Sequence, residues 1–208
     1  MGHPKPYHHG NLQEALLQSA IRLIAEVGPT AFTLREVARQ AGVSHNAPYR
    51  HFHDKDALLA AVATQGYGEL TDAMLEAASR ASNVLDRLKQ AGLAYVSFAL
   101  RRPEHFTVMF DAPFSRQTHP EAADAAERAF SVLVSLVKSC LEKKLMSGDL
   151  PDLALLAWSM VHGIAKLAIT GRLPYRSKAE VLKFAEFVID ESLPVNRRKK
   201  VRSRHAHA

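Results

Sequence analysis

Thr33-Leu-Arg-Glu-Val-Ala-Arg-Gln-Ala-Gly-Val-Ser-His-Asn-Ala-Pro-Tyr-Arg-His-Phe-His-Asp-Lys-Asp-Ala-Leu58 reads as two short helices joined by a glycine turn, with a third helix starting at its end. Thr33 and Glu36 form a capping box: the hydroxyl accepts from an early helical N–H and the carboxylate reaches back to the cap. Leu34, Val37, Ala38 and Ala41 recur at i, i+3, i+4 and i+7, which gives one buried face. Gly42 follows, where a helix stops most easily in a left-handed conformation. Val43 is expected in the angle between the helices. Ser44 is a natural N-cap for the second helix, in which Pro48 and Phe52 lie one turn apart and face inward. Asp54 is expected to cap the third. This order is that of a helix-turn-helix, the arrangement that lays one helix in the DNA major groove.

With Pro48 and Phe52 turned inward, His45, Asn46, Tyr49 and Arg50 must face out. Imidazole, amide, phenol and guanidinium on one outer face suit contact with bases and phosphates. His45 and Asn46 are the candidate base readers, Asn46 because its amide pairs bidentately with adenine. Arg50 suits guanine or the backbone equally, and Ser44 at the start of the segment is counted with them. Thr33 can cap its helix and touch a phosphate at once. Lys55 stands beside a helix N-terminus, where cation and N–H groups together favour a phosphate. Pro48 lacks an N–H, so the second helix is expected to be distorted in its first turn or to begin late. That bears on which of His45, Asn46 and Ala47 reaches the bases. Tyr49 and His51 suit either a bracing role in the small domain or phosphate contact.

The run from Tyr7 to Leu58 resembles the N-terminal domain of TetR/AcrR-family transcriptional regulators. The matching residues are an amphipathic first helix, Leu34-Arg35-Glu36-Val37-Ala38, Ala41-Gly42-Val43-Ser44, Tyr49-Arg50-His51-Phe52 and Lys55-Asp56-Ala57-Leu58, about a quarter of the chain. Pro48 departs from the pattern, standing where many members carry Leu, Ile or Val. Trp158-Ser-Met-Val-His162-Gly163 is similar to the tryptophan–histidine–glycine signature of one C-terminal ligand-domain subgroup of that family. The resemblance implies a homodimeric regulator that binds a palindromic operator in double-stranded DNA, a repressor released by a small-molecule effector, with phosphate contacts from Tyr49 and His51.

Outward from this segment the chain reads as helix throughout. Leu12, Ala15, Leu16, Ala20, Leu23, Ile24 and Val27 make a regular stripe that Gly28-Pro29 ends. A long helix is expected from about Asp56 to Arg80, then segments near 84–101, 103–110, 120–147, 152–170 and 178–192. Their breaks fall at Arg102-Pro103, Ala112-Pro113, His119-Pro120, Gly148 to Pro151 and Gly171 to Pro174. No alternating strand pattern, repeat or Gly-rich phosphate loop interrupts them. The expectation is an all-α fold of about nine helices. A flexible arm over 1–10, carrying His8 and His9, precedes a three-helix helix-turn-helix domain over 11–55. A larger ligand-binding and dimerisation domain over 56–194 and a basic, disordered tail over 195–208 complete the chain.

The net charge of +6 belongs to that tail. Arg197, Arg198, Lys199, Lys200, Arg202 and Arg204 include no acid among them, and without residues 197–208 the basic and acidic residues balance at 21 each. DNA affinity therefore rests on placed contacts rather than on a basic surface. Hydrophobic residues make up 47% of the chain, ample for a core. No apolar run is expected to reach the roughly 20 residues that span a bilayer. Met-Gly-His-Pro-Lys-Pro lacks a hydrophobic signal region, so the protein is expected in the cytoplasm with no membrane partner.

The last two helices are apolar nearly all round: Leu153, Leu155, Leu156, Trp158, Met160, Val161, Ile164, Leu167, Ala168 and Ile169 in one, Val181, Leu182, Phe184, Phe187, Val188 and Ile189 in the other. Such helices lie in the centre of a monomer or give one face to a partner. The family resemblance favours the second, the helices near 152–170 and 178–192 pairing with their twins. Phe98, His105, Phe106, Met109, Phe110, Phe130, Trp158 and His162 are the candidates for an apolar ligand cavity with a few polar groups, against the plainer reading of ordinary core. The eleven histidines are scattered without ligand spacing, so neither metal nor cofactor is expected. Cys140, the only cysteine, could serve an alternative enzymatic reading as a nucleophile. It has no histidine near in sequence, and the chain is read as a non-enzyme with Cys140 a buried structural thiol.

Overall fold

Local capping chemistry sets the element boundaries. The computed structural model describes residues 9–112 and 116–196, with side chains from residue 12 onward. His8, the His9 side chain and the basic residues of 197–204 lie outside the described residues. Among those described there are eight α-helices and one 3-10 turn, against about nine helices expected. They are α1 (His9–Val27), α2 (Leu34–Gln40), the 3-10 turn Pro48–Arg50, α3 (Lys55–Ser79), α4 (Val84–Arg101), α5 (Pro103–Asp111), α6 (Pro120–Glu142), α7 (Leu150–Ile169) and α8 (Lys178–Ser192). Asp54 caps α3 by accepting from the Ala57 N–H at 2.7 Å, and Asn83 caps α4 by accepting from Asp86 at 2.9 Å. Ser177 and Glu180 form a second capping box at α8. Pro103, Pro120 and Pro151 stand in the first turns of α5, α6 and α7, where a missing N–H costs nothing.

α1, α2 and the 3-10 turn pack as a small N-terminal unit on the start of α3, around Leu16, Phe32, Leu34, Val37, Phe52 and Leu58. α3 continues into the larger unit, where it lies against α4, α5 and α6, and α4 lies against α7 and α8. The crossing of α3 and α5 is close because Gly66 has no side chain. A Cβ there would sit 2.6 Å from the Met109 sulfur and 3.1 Å from the His105 Cβ. Tyr67, next along α3, donates its hydroxyl to the Met109 carbonyl at 2.7 Å and fixes the same crossing.

Two boundaries and one helix's apolarity differ from the sequence reading. α6 stops at Glu142 rather than near 147 because Lys144 adopts the left-handed conformation, φ 55°. The Lys144 N–H then bonds the Leu141 carbonyl at 2.9 Å and the Leu145 N–H the Cys140 carbonyl at 2.9 Å, a Schellman end built without glycine. Holding a Cβ-bearing residue there costs about 1 kcal/mol, so Lys144→Gly should raise the melting temperature by a few degrees; a lowered one would show that the lysine contributes more than its backbone conformation. Val195 and Asn196, assigned by sequence to the tail, are docked on the α6–α7 loop: Val195 bridges Met146, and Asn196 donates to the Lys144 carbonyl at 3.1 Å. α7, finally, spans 20 residues at a mean hydropathy of 1.4, so it does reach the length and apolarity of a membrane-crossing helix, contrary to expectation. One face of it packs on α4, α6 and α8, while Leu155, Leu156 and Leu167 are left exposed in the single chain.

Candidate functional site

The outer surface of the small unit is built on two capping devices. The Thr33 hydroxyl accepts from the Glu36 N–H at 3.3 Å while the Glu36 carboxylate accepts from the Thr33 N–H at 2.8 Å and hydroxyl at 2.9 Å. The Thr33 hydroxyl and N–H hold the exposed Glu36 carboxyl below its ordinary value. At the far end of α2, Gly42 takes φ 69°, its N–H bonds the Arg39 carbonyl at 3.1 Å, and the Val43 N–H bonds the Ala38 carbonyl at 3.0 Å. That Schellman turn reverses the chain into the recognition segment.

The segment is not the regular helix the sequence suggested. Only Pro48–Arg50 is helical, in 3-10 form, and Ser44 is not an N-cap; its carbonyl accepts from the Ala47 N–H at 2.9 Å in a turn instead. Pro48 is the physical reason. Its ring fixes φ and supplies no N–H, so an α-helical first turn cannot close across it, and the buried ring anchors the segment from inside. His45, Asn46, Tyr49 and Arg50 are exposed, Tyr49 by 51%. Ala47 is only 8% exposed, so its methyl is withdrawn as a base reader. His51 is half-buried with its ring 6.3 Å from that of Phe52. The Lys55 ammonium donates to the Thr30 carbonyl at 2.9 Å and lies 5.3 Å from the Phe32 ring centroid. One of its three donors therefore closes the α1–α2 loop, and the other two point to no described partner.

A cavity of about 630 Å³ opens in the larger unit, walled by Tyr67, Leu70 and Met74 of α3, Leu88, Ala91 and Tyr95 of α4, Phe110 of α5, Phe130, Leu133 and Val134 of α6 and Trp158 and Val161 of α7. Of the eight ligand candidates, only Phe110, Phe130 and Trp158 line it. Phe98, Phe106 and Met109 are buried in solid core, and His105 is wedged beside Gly66. His162 stands behind the wall, its Nδ1 bonded to the Tyr95 hydroxyl at 2.9 Å and its ring 4.6 Å from that of Phe110. The Trp158 indole N–H donates to the same hydroxyl at 3.3 Å. Sequence reasoning missed Tyr95, although a phenol on the otherwise apolar Leu88–Ala91–Tyr95 stripe of α4 was the available signal.

The model for bacterial regulatory proteins of the tetR family matches residues 16–62, and that for the tetracyclin repressor-like C-terminal domain matches residues 88–191, half of the chain. The chain belongs to the TetR family. It is 46% identical over 48 residues, 23% of its length, to an HTH-type transcriptional repressor of Mycobacterium tuberculosis, and spans 26% of that protein. To the HTH-type transcriptional regulator BetI of Rhizobium meliloti it is 35% identical over 86 residues, 41% of each chain. Among solved structures, a protein with unknown function from Rhodococcus sp. RHA1 is 34% identical with a TM-score of 0.78, over 92% of this chain and 100% of that one. A TetR family transcription regulator from Marinobacter aquaeolei shares the fold at a TM-score of 0.69 and 22% identity, over 88% of this chain and 96% of that one. The chain spans less than half the length of these curated relatives; among the described residues this TetR-family chain is all-helical, with an N-terminal helix-turn-helix and a larger C-terminal helical domain.

Two buried titratable groups in this TetR-family chain bear on its chemistry. Cys140 is buried, with its sulfur 3.8 Å from the Val84 carbonyl. Burial pushes its thiol up, the opposite of what activates a nucleophile. His105 is 2% exposed and neither ring nitrogen has a hydrogen-bond partner among the described residues. Burial holds it below its ordinary 6.5, with Arg102 acting in the same direction and Glu69 and Glu104 opposing. Burial and Lys166 lower His162 likewise, with Asp111 opposing. The unfolded chain therefore binds protons near pH 6 that the folded chain excludes, so stability is full above about pH 6.5 and falls as pH drops below it. Thermal melts between about pH 7.5 and pH 5 should show that loss, with a shallower slope in His105→Leu; an unchanged slope would place the acid sensitivity elsewhere.

Proposed function

We propose that the protein is a cytoplasmic homodimeric repressor that binds a palindromic operator and is released from it by a small molecule in the cavity. The observation that carries this reading is the continuity of α3. One unbroken helix begins at the Asp54 cap, two residues after the recognition segment's buried Phe52, and 12 to 19 residues beyond Lys55 it supplies Tyr67, Leu70 and Met74 to the cavity wall. A molecule that displaces that wall works directly on the helix carrying the recognition segment. Effector and operator then oppose each other reciprocally, because each favours a different position of the same rod.

Exposed apolar side chains on α7 and α8 support the dimer: Leu156, Leu167 and Phe187 stand in water in the single chain. Two-fold pairing through these helices would set two recognition segments about one DNA turn, roughly 34 Å, apart. His45 and Asn46 are assigned to base edges, Arg50 to either base or phosphate, and Thr33, Ser44, Tyr49, His51 and Lys55 to the backbone.

Selection of bound duplexes from a random library tests the reading. The wild type should enrich a palindrome, and Tyr49→Ala should bind it about 10-fold to 100-fold more weakly with no change in the preferred bases, as loss of a phosphate contact requires. A wild type that enriches no sequence would overturn it.

A further inference from the structure

The walls of the cavity define what it accepts. We infer that it takes an uncharged, mostly hydrocarbon molecule ending in a hydroxyl group that hydrogen-bonds Tyr95. This rests on the reading of the cavity as the effector site and names the effector's chemistry. The volume of about 630 Å³ lies within the range of small-molecule sites. Glu127 is the one charged residue among the described lining; it is exposed at the rim and ion-paired to Arg116. No lysine or arginine among the described lining would neutralise a carboxylate carried inside, and an unpaired buried charge is strongly disfavoured. The aromatic rings do not form an open box of faces for a cation either. Trp158 meets Phe130 edge to face at 5.6 Å, and Phe110 meets His162 the same way at 4.6 Å.

The polar groups of the lining are few: Ser131, which donates to the Arg128 carbonyl, and Ser135 lie on exposed positions of α6, and the bonds of the buried ones select the hydroxyl. Tyr67 is spent on the Met109 carbonyl. Tyr95, 5% exposed, accepts from Trp158 and shares one bond with His162. If neutral His162 accepts at Nδ1, Tyr95 has a lone pair left to accept a ligand proton; if Nδ1 carries the proton, Tyr95 has its own O–H left to donate. A hydroxyl, which donates and accepts, satisfies either state. A ketone or ether satisfies only the second.

Trp158 is the only tryptophan in the chain and forms part of the wall, so its fluorescence reads occupancy without DNA. The full-length protein is titrated with 1-hexanol, 1-octanol and 1-decanol, then with decanoate and decyltrimethylammonium below their micelle concentrations. Binding should tighten about fourfold per added methylene, and 1-decanol should bind at least about tenfold more tightly than either ion. Tyr95→Phe should keep the methylene increment and bind 1-decanol about fivefold more weakly. Absence of a chain-length trend, decanoate or decyltrimethylammonium binding as tightly as decanol, or an unaffected Tyr95→Phe variant would each overturn the assignment. Because no DNA is present, failure here leaves operator selection standing, and failure of operator selection leaves this result standing.

Discussion

Replacing Phe187 by aspartate should convert the protein to monomers and weaken operator binding by about 10²- to 10⁴-fold. Phe187 is the most exposed large apolar side chain among the described residues, 62% accessible on α8. In the single chain that exposure is unfavourable, and in the proposed dimer pairing with a second copy would remove it from water. An aspartate at the same position would bring two unpaired carboxylates together across a two-fold axis, where neither finds a cation and both lose solvent. The operator cost follows from avidity: once one half-site is held, the second binds as an intramolecular event, and a monomer forfeits that gain. Each chain should keep its helical circular dichroism spectrum, since Phe187 buries little within its own protomer. Sedimentation at micromolar concentration and an operator titration check both halves. A variant that stays dimeric would place the interface away from α8.

The second large effect is on stability. Phe106 is fully buried on α5, with ring centroids 5.8 Å from Tyr95, 4.8 Å from Phe110 and 5.4 Å from His162. Truncation to alanine removes the ring's transfer energy and leaves a hole that three packed rings cannot collapse into, about 3–5 kcal/mol in all. For a chain of this size that corresponds to a melting temperature lower by roughly 6–20 °C. Because Phe106 does not line the cavity, Phe106→Ala should still show the alcohol-dependent change in Trp158 fluorescence well below its melting point. A small stability loss with abolished alcohol response would return Phe106 to the ligand site, where its sequence position first suggested it.

That exchange of roles shows what a sequence exposes and what it hides. The starts of α2 and α3 were legible because the chemistry that makes them is local: Thr33 with Glu36, and Asp54, each lie within three residues of the N–H they satisfy; the caps at Asn83 and at Ser177 with Glu180 are as local but went unread. The end of α6 was not legible, because a lysine rather than a glycine takes the left-handed turn at 144. The inward direction of Pro48 and Phe52 was read correctly from their spacing. The form of the segment around them was only half read, since the missing proline N–H both removes Ser44 as a cap and leaves a single 3-10 turn. The cavity was the least legible part. Periodicity says that Phe98, Phe106, Leu70 and Met74 are all buried, but not which of them face atoms and which face space. That distinction depends on how six helices fail to fill the volume between them.

The glycine at 66 gives α3 a fulcrum. Pressed against Met109 and His105 at that point, the helix has one arm of about 16 Å running back to Lys55 and another of about 12 Å running on to Met74, at roughly 1.5 Å per residue. A stiff rod that turned about this crossing would act as a see-saw. On the proposed release mechanism, an ångström of movement at Met74 would appear at Lys55 enlarged by about a third and reversed in direction. The recognition segment would then swing toward the side from which the cavity wall is pushed, and the ratio of the two arms, set by where along the helix the glycine falls, fixes how far.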